Sequence, residues 1–154
     1  MKFTNTILIM AAIYLVTNYS SDDSVYGKDK DEMTVYLWKN RPLILFAPSP
    51  DNFAYRSVQN NLSARFDQIV DRHMVIIEIF ENGIVRTDGK SDSRLNAESL
   101  RRRFLTENGR LEVALIGKDG GLKLRQIGRL NLDEIFSVID SMPMRQQEMR
   151  KSTK

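Results

Sequence analysis

The chain has 154 residues, of which 42% are hydrophobic and 28% charged, enough for one soluble domain with its own core. Its net charge is only +3, and its basic residues are spread along the chain without a dense stripe, so nucleic acid is not an expected partner. The chain contains no cysteine, which excludes thiolate catalysis and disulfides. His73 is the only histidine, and we predict no metal site and no cofactor.

The first 20 residues are typical of an export signal. Lys2 supplies a positive charge, and residues 7–16 form an unbroken apolar run as long as a signal-peptide core. The run is shorter than the roughly 20 residues of a membrane-spanning helix. We therefore predict a signal peptide over residues 1–20 and an exported protein that is periplasmic, extracellular or envelope-associated. An uncleaved membrane anchor is the main alternative, and a buried element is a third.

If the apolar run directs export, the mature protein begins at or next to Ser21. N-terminal sequencing of protein purified from the exported fraction is expected to start there. An intact Met1 on membrane-extracted protein would instead show that the run is kept as an anchor. An intact Met1 on cytosolic protein would refute export.

The folded part is predicted to start after a polar linker at residues 21–32, which is rich in Asp, Lys, Ser and Gly. Residues 33–38 are expected to form a short edge strand or a helical turn that packs Trp38 on the core. Leu43–Ala47 is a continuous apolar run between prolines, which is typical of a strand buried on both faces. The turn that follows is predicted to cap the next helix with Ser49 or Asp51.

The remaining elements follow from apolar periodicity and from capping and turn residues. They are predicted in this order: helices over 52–62 and 64–72, a buried strand at 74–80, a loop at 82–93, a helix that starts at Asn96, a strand at 111–116, a hairpin at Lys118–Gly121, a strand at 122–127 and a helix capped by Asn131 or Asp133. A short extended piece at Ile84–Val85 is the alternative within the loop. The first two strands should be parallel, and the last two antiparallel.

Four stretches of the chain resemble a family of exported bacterial proteins, the prokaryotic branch of the DUDES group: Arg41–Asp51, Leu100–Phe104, Leu115–Arg125 and Met142–Arg145. Related domains occur in vertebrate secreted matrix proteins of the sushi-repeat-containing and coiled-coil-domain kinds. The resemblance covers about residues 38–149. It implies export and an α/β fold, a thioredoxin-like mixed sheet of about four strands with helices on both faces, over residues 33–143. Residues 144–154 are predicted to be a polar, charged tail.

The sequence departs from redox-active members of that fold at two places. Those proteins carry a cysteine pair in the loop and first turn after the first core strand, which is Pro48–Phe53 here. They also carry a cis proline just before the third core strand, where this chain has Glu107–Arg110. Both parts of a thiol-disulfide site are therefore missing, and the resemblance implies no catalytic residue.

The candidate site is consequently a binding surface, with no catalytic residue assigned. Its candidate residues come from the turn after the first strand and from a basic helix: Pro48, Ser49, Pro50, Asp51, Arg101, Arg102 and Arg103. Consecutive helical residues point in different directions, so the three arginines are not expected to form one patch, and simple solvation is their alternative role. Ser49 has no neighbouring general base, which favours a role in the turn.

We expect an exported, non-catalytic binding or adhesion-type module whose partner is an unknown protein or an envelope or matrix component. One alternative is an enzyme with non-thiol chemistry at the cleft near residues 48–53. Another is an anchored envelope protein that presents its domain to a partner. Contact with the membrane is expected only if the amino-terminal apolar run is retained.

Overall fold

The computed structural model describes residues 32–152. The predicted signal peptide and the linker up to residue 31 lie outside these residues. A short 3-10 helix at Glu32–Tyr36 comes first, and the elements that follow are β1 (Arg41–Ala47), α1 (Phe53–Ala64), α2 (Phe66–Asp71), β2 (Met74–Phe80), β3 (Val85–Thr87), β4 (Lys90–Ser91), α3 (Ala97–Arg103), β5 (Glu112–Ile116), β6 (Leu122–Ile127), α4 (Leu132–Ser141) and α5 (Pro143–Ser152). None of the helices within the described residues is both long and apolar enough to cross a membrane.

The strands form one mixed sheet in the order β4-β3-β2-β1-β5-β6. The parallel pairing of β1 with β2 and the antiparallel pairing of β5 with β6 are confirmed. The sheet has six strands, because a small hairpin of β3 and β4 extends it beyond β2. That hairpin lies in residues 82–93, which were predicted to be a loop with, at most, a short extended piece at residues 84–85. Its strands are too short and too polar to show a clear apolar alternation.

Strand directions define two opposite edges of the sheet, at which the strands begin or end. β1 and β2 end at the same edge, where β5 begins and β6 ends, and we call it the carboxyl edge. The opposite edge, where β1 and β2 begin and the β5–β6 hairpin turns, is the amino edge. Seven strand residues separate the two edges along β1, which corresponds to about 20 Å.

β1 is buried on both faces, as its continuous apolar run predicts. Leu43 and Leu45 face the layer built by α1, α2 and α4. Ile44 and Phe46 face the other layer, which consists of α3 and the 3-10 helix. Because successive strand side chains point to opposite faces, a strand between two helical layers needs an apolar residue at every position.

Asparagines cap three helices of the domain. As predicted, the Asn96 side chain accepts a hydrogen bond from the backbone amide of Ser99 at 2.9 Å. The Asn131 side chain likewise accepts from the backbone amide of Glu134 at 3.2 Å. The cap of α1 is Asn52, whose Oδ1 accepts from Tyr55 N at 3.2 Å, so the prediction of Ser49 or Asp51 was wrong. The Asn52 amide donates to the Ser49 carbonyl, and this turn delays the start of the helix.

Trp38 does not pack on the core. The 3-10 helix buries Met33 and Tyr36 instead, and the Trp38 side chain is 66% exposed. Its backbone has a φ of 63°, in the left-handed region that non-glycine residues rarely adopt. The Trp38 amide donates to the Lys118 carbonyl at 2.7 Å, which ties this segment to the β5–β6 hairpin.

The predicted polar tail is instead the helix α5, which docks on the amino edge through charged groups. Glu148 accepts hydrogen bonds from the Arg41 guanidinium at 3.0 and 3.2 Å and from the Lys118 ammonium at 2.7 Å. Arg145 is buried, bonding to the Asp71 carboxylate and to Asp140. We call these groups the amino-edge network: Arg41, Asp71, Arg72, His73, Lys118, Asp140, Arg145 and Glu148.

Candidate functional site

Four connecting segments meet at the carboxyl edge, because each joins a strand end that lies there. They are residues 48–52 after β1, 81–84 after β2, 104–111 before β5 and 128–131 after β6. The predicted cleft near residues 48–53 is therefore at this edge. Ligands of open α/β sheets commonly bind beyond the carboxyl ends of parallel strands, so the edge is the natural place for a site.

Arg101 lies across the ends of the two parallel strands. Its Nη2 donates to the carbonyls of Ala47 at 3.2 Å and Ile79 at 3.1 Å, at the ends of β1 and β2. The guanidinium carbon lies 5.7 Å from the centroid of the Phe46 ring. Burial lowers the pKa of Arg101, although nearby Glu81 and Glu112 act in the opposite direction. Arg101 thus fills the space in front of β1 with a fixed positive group.

A buried carboxylate holds the loop that precedes β5. Glu112 accepts hydrogen bonds from the Glu107 amide at 3.0 Å, Arg110 Nε at 3.1 Å and Arg125 Nη1 at 3.4 Å. Arg125 also donates to the Phe104 carbonyl. Sequence reasoning missed Glu112. Its signal was a single acidic residue in an otherwise apolar strand, since buried charges are rarely without partners.

Arg102 and Arg103 have surroundings different from those of Arg101. Arg102 is exposed and forms an ion pair with Glu98 at 3.6 Å. The Arg103 guanidinium lies 5.5 Å from the centroid of the Phe104 ring. The structure therefore does not bring the three arginines together, and their role in binding stays a prediction. Of the three, only Arg101 reaches the strand ends.

The turn residues Pro48, Ser49 and Pro50 are half-buried, and Asp51 is exposed. Ser49 takes part in the turn through its carbonyl, which accepts from Asn52 N at 3.2 Å. His73 precedes β2 at the amino edge, whereas Ser49 follows β1 at the carboxyl edge. The two residues are separated by roughly the length of the strands, about 20 Å. His73 therefore does not serve as a general base for Ser49.

Exposed apolar side chains lie in or next to the connecting segments of the carboxyl edge. Phe53 is 88% exposed and Leu105 is 81% exposed, and Ile84 and Ile127 are also solvent-accessible. Phe53 is the first residue of α1. It lies off the buried stripe of that helix, which is formed by Tyr55, Val58 and Leu62.

A second buried carboxylate lies on β2, under α1. Glu78 accepts from the Tyr55 hydroxyl at 2.6 Å and from the Gln59 amide, and Gln59 also donates to the Tyr55 oxygen at 3.0 Å. Burial and the hydrogen bond to Glu78 raise the pKa of Tyr55 well above its ordinary value. The cluster connects α1 to β2 by satisfied hydrogen bonds, which indicates a structural role. Within residues 32–152, no group of three acidic or histidine side chains is arranged to hold a metal ion.

Solved structures similar to this one are peroxiredoxins at low sequence identity. The reduced 2-Cys peroxiredoxin of Plasmodium vivax is 15% identical, with a TM-score of 0.56, over 75% of this chain and 84% of that chain. A Plasmodium yoelii Prx1a, modified at its N-terminus and forming an artifactual octamer, is also 15% identical, with a TM-score of 0.53, over 75% and 80% of the two chains. These similarities concern the fold alone, and they confirm the thioredoxin-like α/β architecture.

The comparison with family models covers most of the domain. The model described as a domain of unknown function, DUF4174, matches residues 32–148, which include every strand of the sheet and most of α5. The match therefore extends through Glu148, the residue that docks α5 on the amino edge. This chain, with its six-stranded thioredoxin-like sheet and no cysteine, belongs to the DUF4174 family.

Proposed function

We propose that the protein is an exported, non-catalytic binding module that contacts a partner protein through the carboxyl edge of its sheet. The observation that carries this proposal is the position of Arg101. Its guanidinium occupies the space in front of β1 and donates to the carbonyls of Ala47, the last residue of β1, and of Ile79, the last but one of β2. With no cysteine in the chain, this edge has no thiol chemistry and presents a fixed surface instead.

The exposed apolar side chains at the carboxyl edge support a protein partner. Phe53 and Leu105 are large apolar groups left in water, although burial of such a group stabilises by about 1.5–3 kcal/mol. Aromatic residues and arginine are the types enriched at the centres of protein interfaces. An aromatic ring, an aliphatic side chain and a half-buried arginine at this edge are therefore suited to a partner protein or an envelope or matrix component.

Export is the second part of the proposal, and it rests on the apolar run at residues 7–16 and on Lys2 before it. An enzyme of non-thiol chemistry at the same edge remains the alternative. The structure favours no particular residue pair for it, since Ser49 and His73 lie at opposite edges.

The binding edge is tested by capture from a native envelope extract with the mature protein as bait. Phe53→Ser and Leu105→Ser should each reduce recovery of the same partner at least about tenfold, because an apolar anchor is lost. Phe66→Ser on α2 is the matched control, since Phe66 is 64% exposed and lies away from the carboxyl edge. Unchanged capture by the Phe53 and Leu105 variants, or equal losses with the Phe66 control, would contradict this edge as the binding surface.

A further inference from the structure

A second concave site opens at the amino edge, independent of the proposed function. The cavity measures about 300 Å3 and lies between Trp38, the β5–β6 hairpin and the junction of α4 with α5. The residues that line it and carry the inference are Trp38, Arg41, Lys118, Lys123, Met142 and Met144. Its volume is at the lower end of the range for small-molecule pockets.

Two buried cations that line the pocket have unused hydrogen-bond donors. Arg41 is 1% exposed, and its Nη atoms donate to Glu148 and to the Arg72 carbonyl, while its Nε has no partner. Lys118 uses two of its three N–H groups, on Glu148 at 2.7 Å and His73 Nδ1 at 2.8 Å. Buried donors without acceptors are costly, and an acceptor placed in the pocket would relieve that cost.

The amino-edge network also has an excess of positive charge. Its cations are Arg41, Arg72, Lys118 and Arg145, and its carboxylates are Asp71, Asp140 and Glu148. Four positive groups therefore share three negative ones. His73, whose Nδ1 lies 2.8 Å from Lys118 Nζ, supplies no negative charge, because an imidazole is either neutral or positive. Each cation has a carboxylate partner, but the carboxylates are shared, so the network as a whole carries one positive charge more than negative charge.

The rim of the pocket does not change this balance. Lys123 and Asp119 lie at the opening and pair with each other at 2.6 Å. The remaining wall is apolar and includes the indole of Trp38 and the side chains of Met142 and Met144. A ligand that enters therefore meets apolar groups on the walls and a net positive charge at Arg41 and Lys118.

The backbone conformation of Trp38 is energetically unfavourable. A left-handed backbone at a non-glycine residue costs about 1–3 kcal/mol, and the exposed indole gains little from burial. The hydrogen bond from the Trp38 amide to the Lys118 carbonyl fixes the Trp38 backbone against the β5–β6 hairpin, on the wall of the pocket. Such strain is common at binding sites, where the surrounding structure maintains a geometry that the chain alone disfavours.

We propose that this pocket binds a small organic monoanion with a flat apolar body, of the aryl-carboxylate class. The carboxylate accepts from the third N–H of Lys118, and its charge beside Lys118 and Arg41 neutralises the excess charge of the network. Its ring packs against the Trp38 indole and the two methionines. Charge-assisted hydrogen bonds of this kind are about twice as strong as neutral ones, so the site discriminates by charge.

Trp38 is the only tryptophan of the chain, so its fluorescence reports on this pocket alone. Phenylacetate titrated into the mature protein is expected to change the Trp38 emission saturably, with a Kd of about 1 mM or tighter. Phenylacetamide has the same shape without the charge and should bind at least about tenfold more weakly. Equal binding of the two probes, or the lack of saturable binding by phenylacetate, would overturn the proposal.

Two variants test the contributions of the Lys118 charge and of the Trp38 indole to binding separately. Lys118→Met keeps the side-chain length without the ammonium, and it should weaken phenylacetate binding at least about fivefold. Lys90→Met on β4 is the matched control, because Lys90 is exposed and far from the pocket, and it should bind normally. Trp38→Ala, read out by ligand-observed NMR, should also weaken binding, and its exposed side chain makes misfolding no concern. Unchanged affinity in both Lys118→Met and Trp38→Ala would contradict the site. If Lys118→Met does not fold, the affinity of Trp38→Ala and the comparison of phenylacetate with phenylacetamide still test the proposed site.

Discussion

Phe46→Ala is expected to lower the free energy of unfolding by about 3–5 kcal/mol, because it leaves a large cavity between the sheet and α3. Phe46 is fully buried on the central strand β1, and its ring lies 5.9 Å from the ring of Phe104. The Arg101 guanidinium would also lose the ring that it covers. Because a typical domain is stable by only about 5–15 kcal/mol, the loss would be a large fraction of the total.

The matched control for this prediction is Phe53→Ala, the same substitution at an 88% exposed position. It should change the free energy of unfolding by less than about 0.5 kcal/mol. Urea denaturation of both variants, followed by circular dichroism, measures the difference. Similar losses at the two positions, or a negligible loss at Phe46, would show that β1 does not lie at the centre of the folded unit.

Glu148→Gln is expected to destabilise the protein by about 3 kcal/mol at pH 7, because it leaves Arg41 and Lys118 buried without their shared carboxylate. Burial by itself raises the pKa of Glu148, but hydrogen bonds from Arg41 and Lys118 and their charges outweigh it. Together they lower the pKa from 4.5 to about 2. A depression of this size corresponds to about 3 kcal/mol of stability.

The pH dependence of this effect has a definite sign. Since the pKa is lower in the folded protein than in the unfolded chain, the contribution of Glu148 is complete above about pH 4.5. It is lost as the pH falls toward 2, where the carboxyl group becomes protonated in both states. The stabilities of the wild type and of Glu148→Gln should therefore converge between pH 4.5 and 2.

Urea unfolding of both proteins across this range measures the convergence. Glu98→Gln on α3 is the control, because Glu98 is 87% exposed and its pair with Arg102 lies on the surface. Its stability should stay close to that of the wild type at every pH. The prediction is contradicted if the free energies of unfolding of the wild type and Glu148→Gln do not differ at pH 7, or if their difference stays constant down to pH 2. Either result would mean that the ion pair does not hold α5.

Local patterns in the sequence predicted much of the fold. The apolar run at Leu43–Ala47 indicated a strand buried on both faces, and Lys118–Gly121 indicated a hairpin. Asn96 and Asn131 indicated helix starts. These features depend on residues within one turn or one strand of each other, so neighbouring positions contain the required information. The short, polar strands β3 and β4 lack such a pattern, and the sequence indicated only a short extended piece at residues 84–85.

The candidate site was predicted only in part, for the same reason. The turn at Pro48–Asp51 was placed correctly beside the strand ends, because it directly follows β1. The position of Arg101 against Ala47 and Ile79 depends on how α3 packs across the sheet, over sequence separations of 54 and 22 residues. The exposure of Phe53 and Leu105 depends on the same packing.

The sequence by itself determined that this protein has no thiol chemistry, since that follows from composition alone. It also determined the main strands and helix caps, which depend on close neighbours. Only the tertiary structure decided that residues 143–152 form a docked helix. Arg41 and Glu148 are 107 positions apart, and no periodic pattern in the sequence indicates that they pair. It also decided which cations are buried together. Charge balance depends on distance in space, so the positive pocket beside Trp38 exists only in the folded chain.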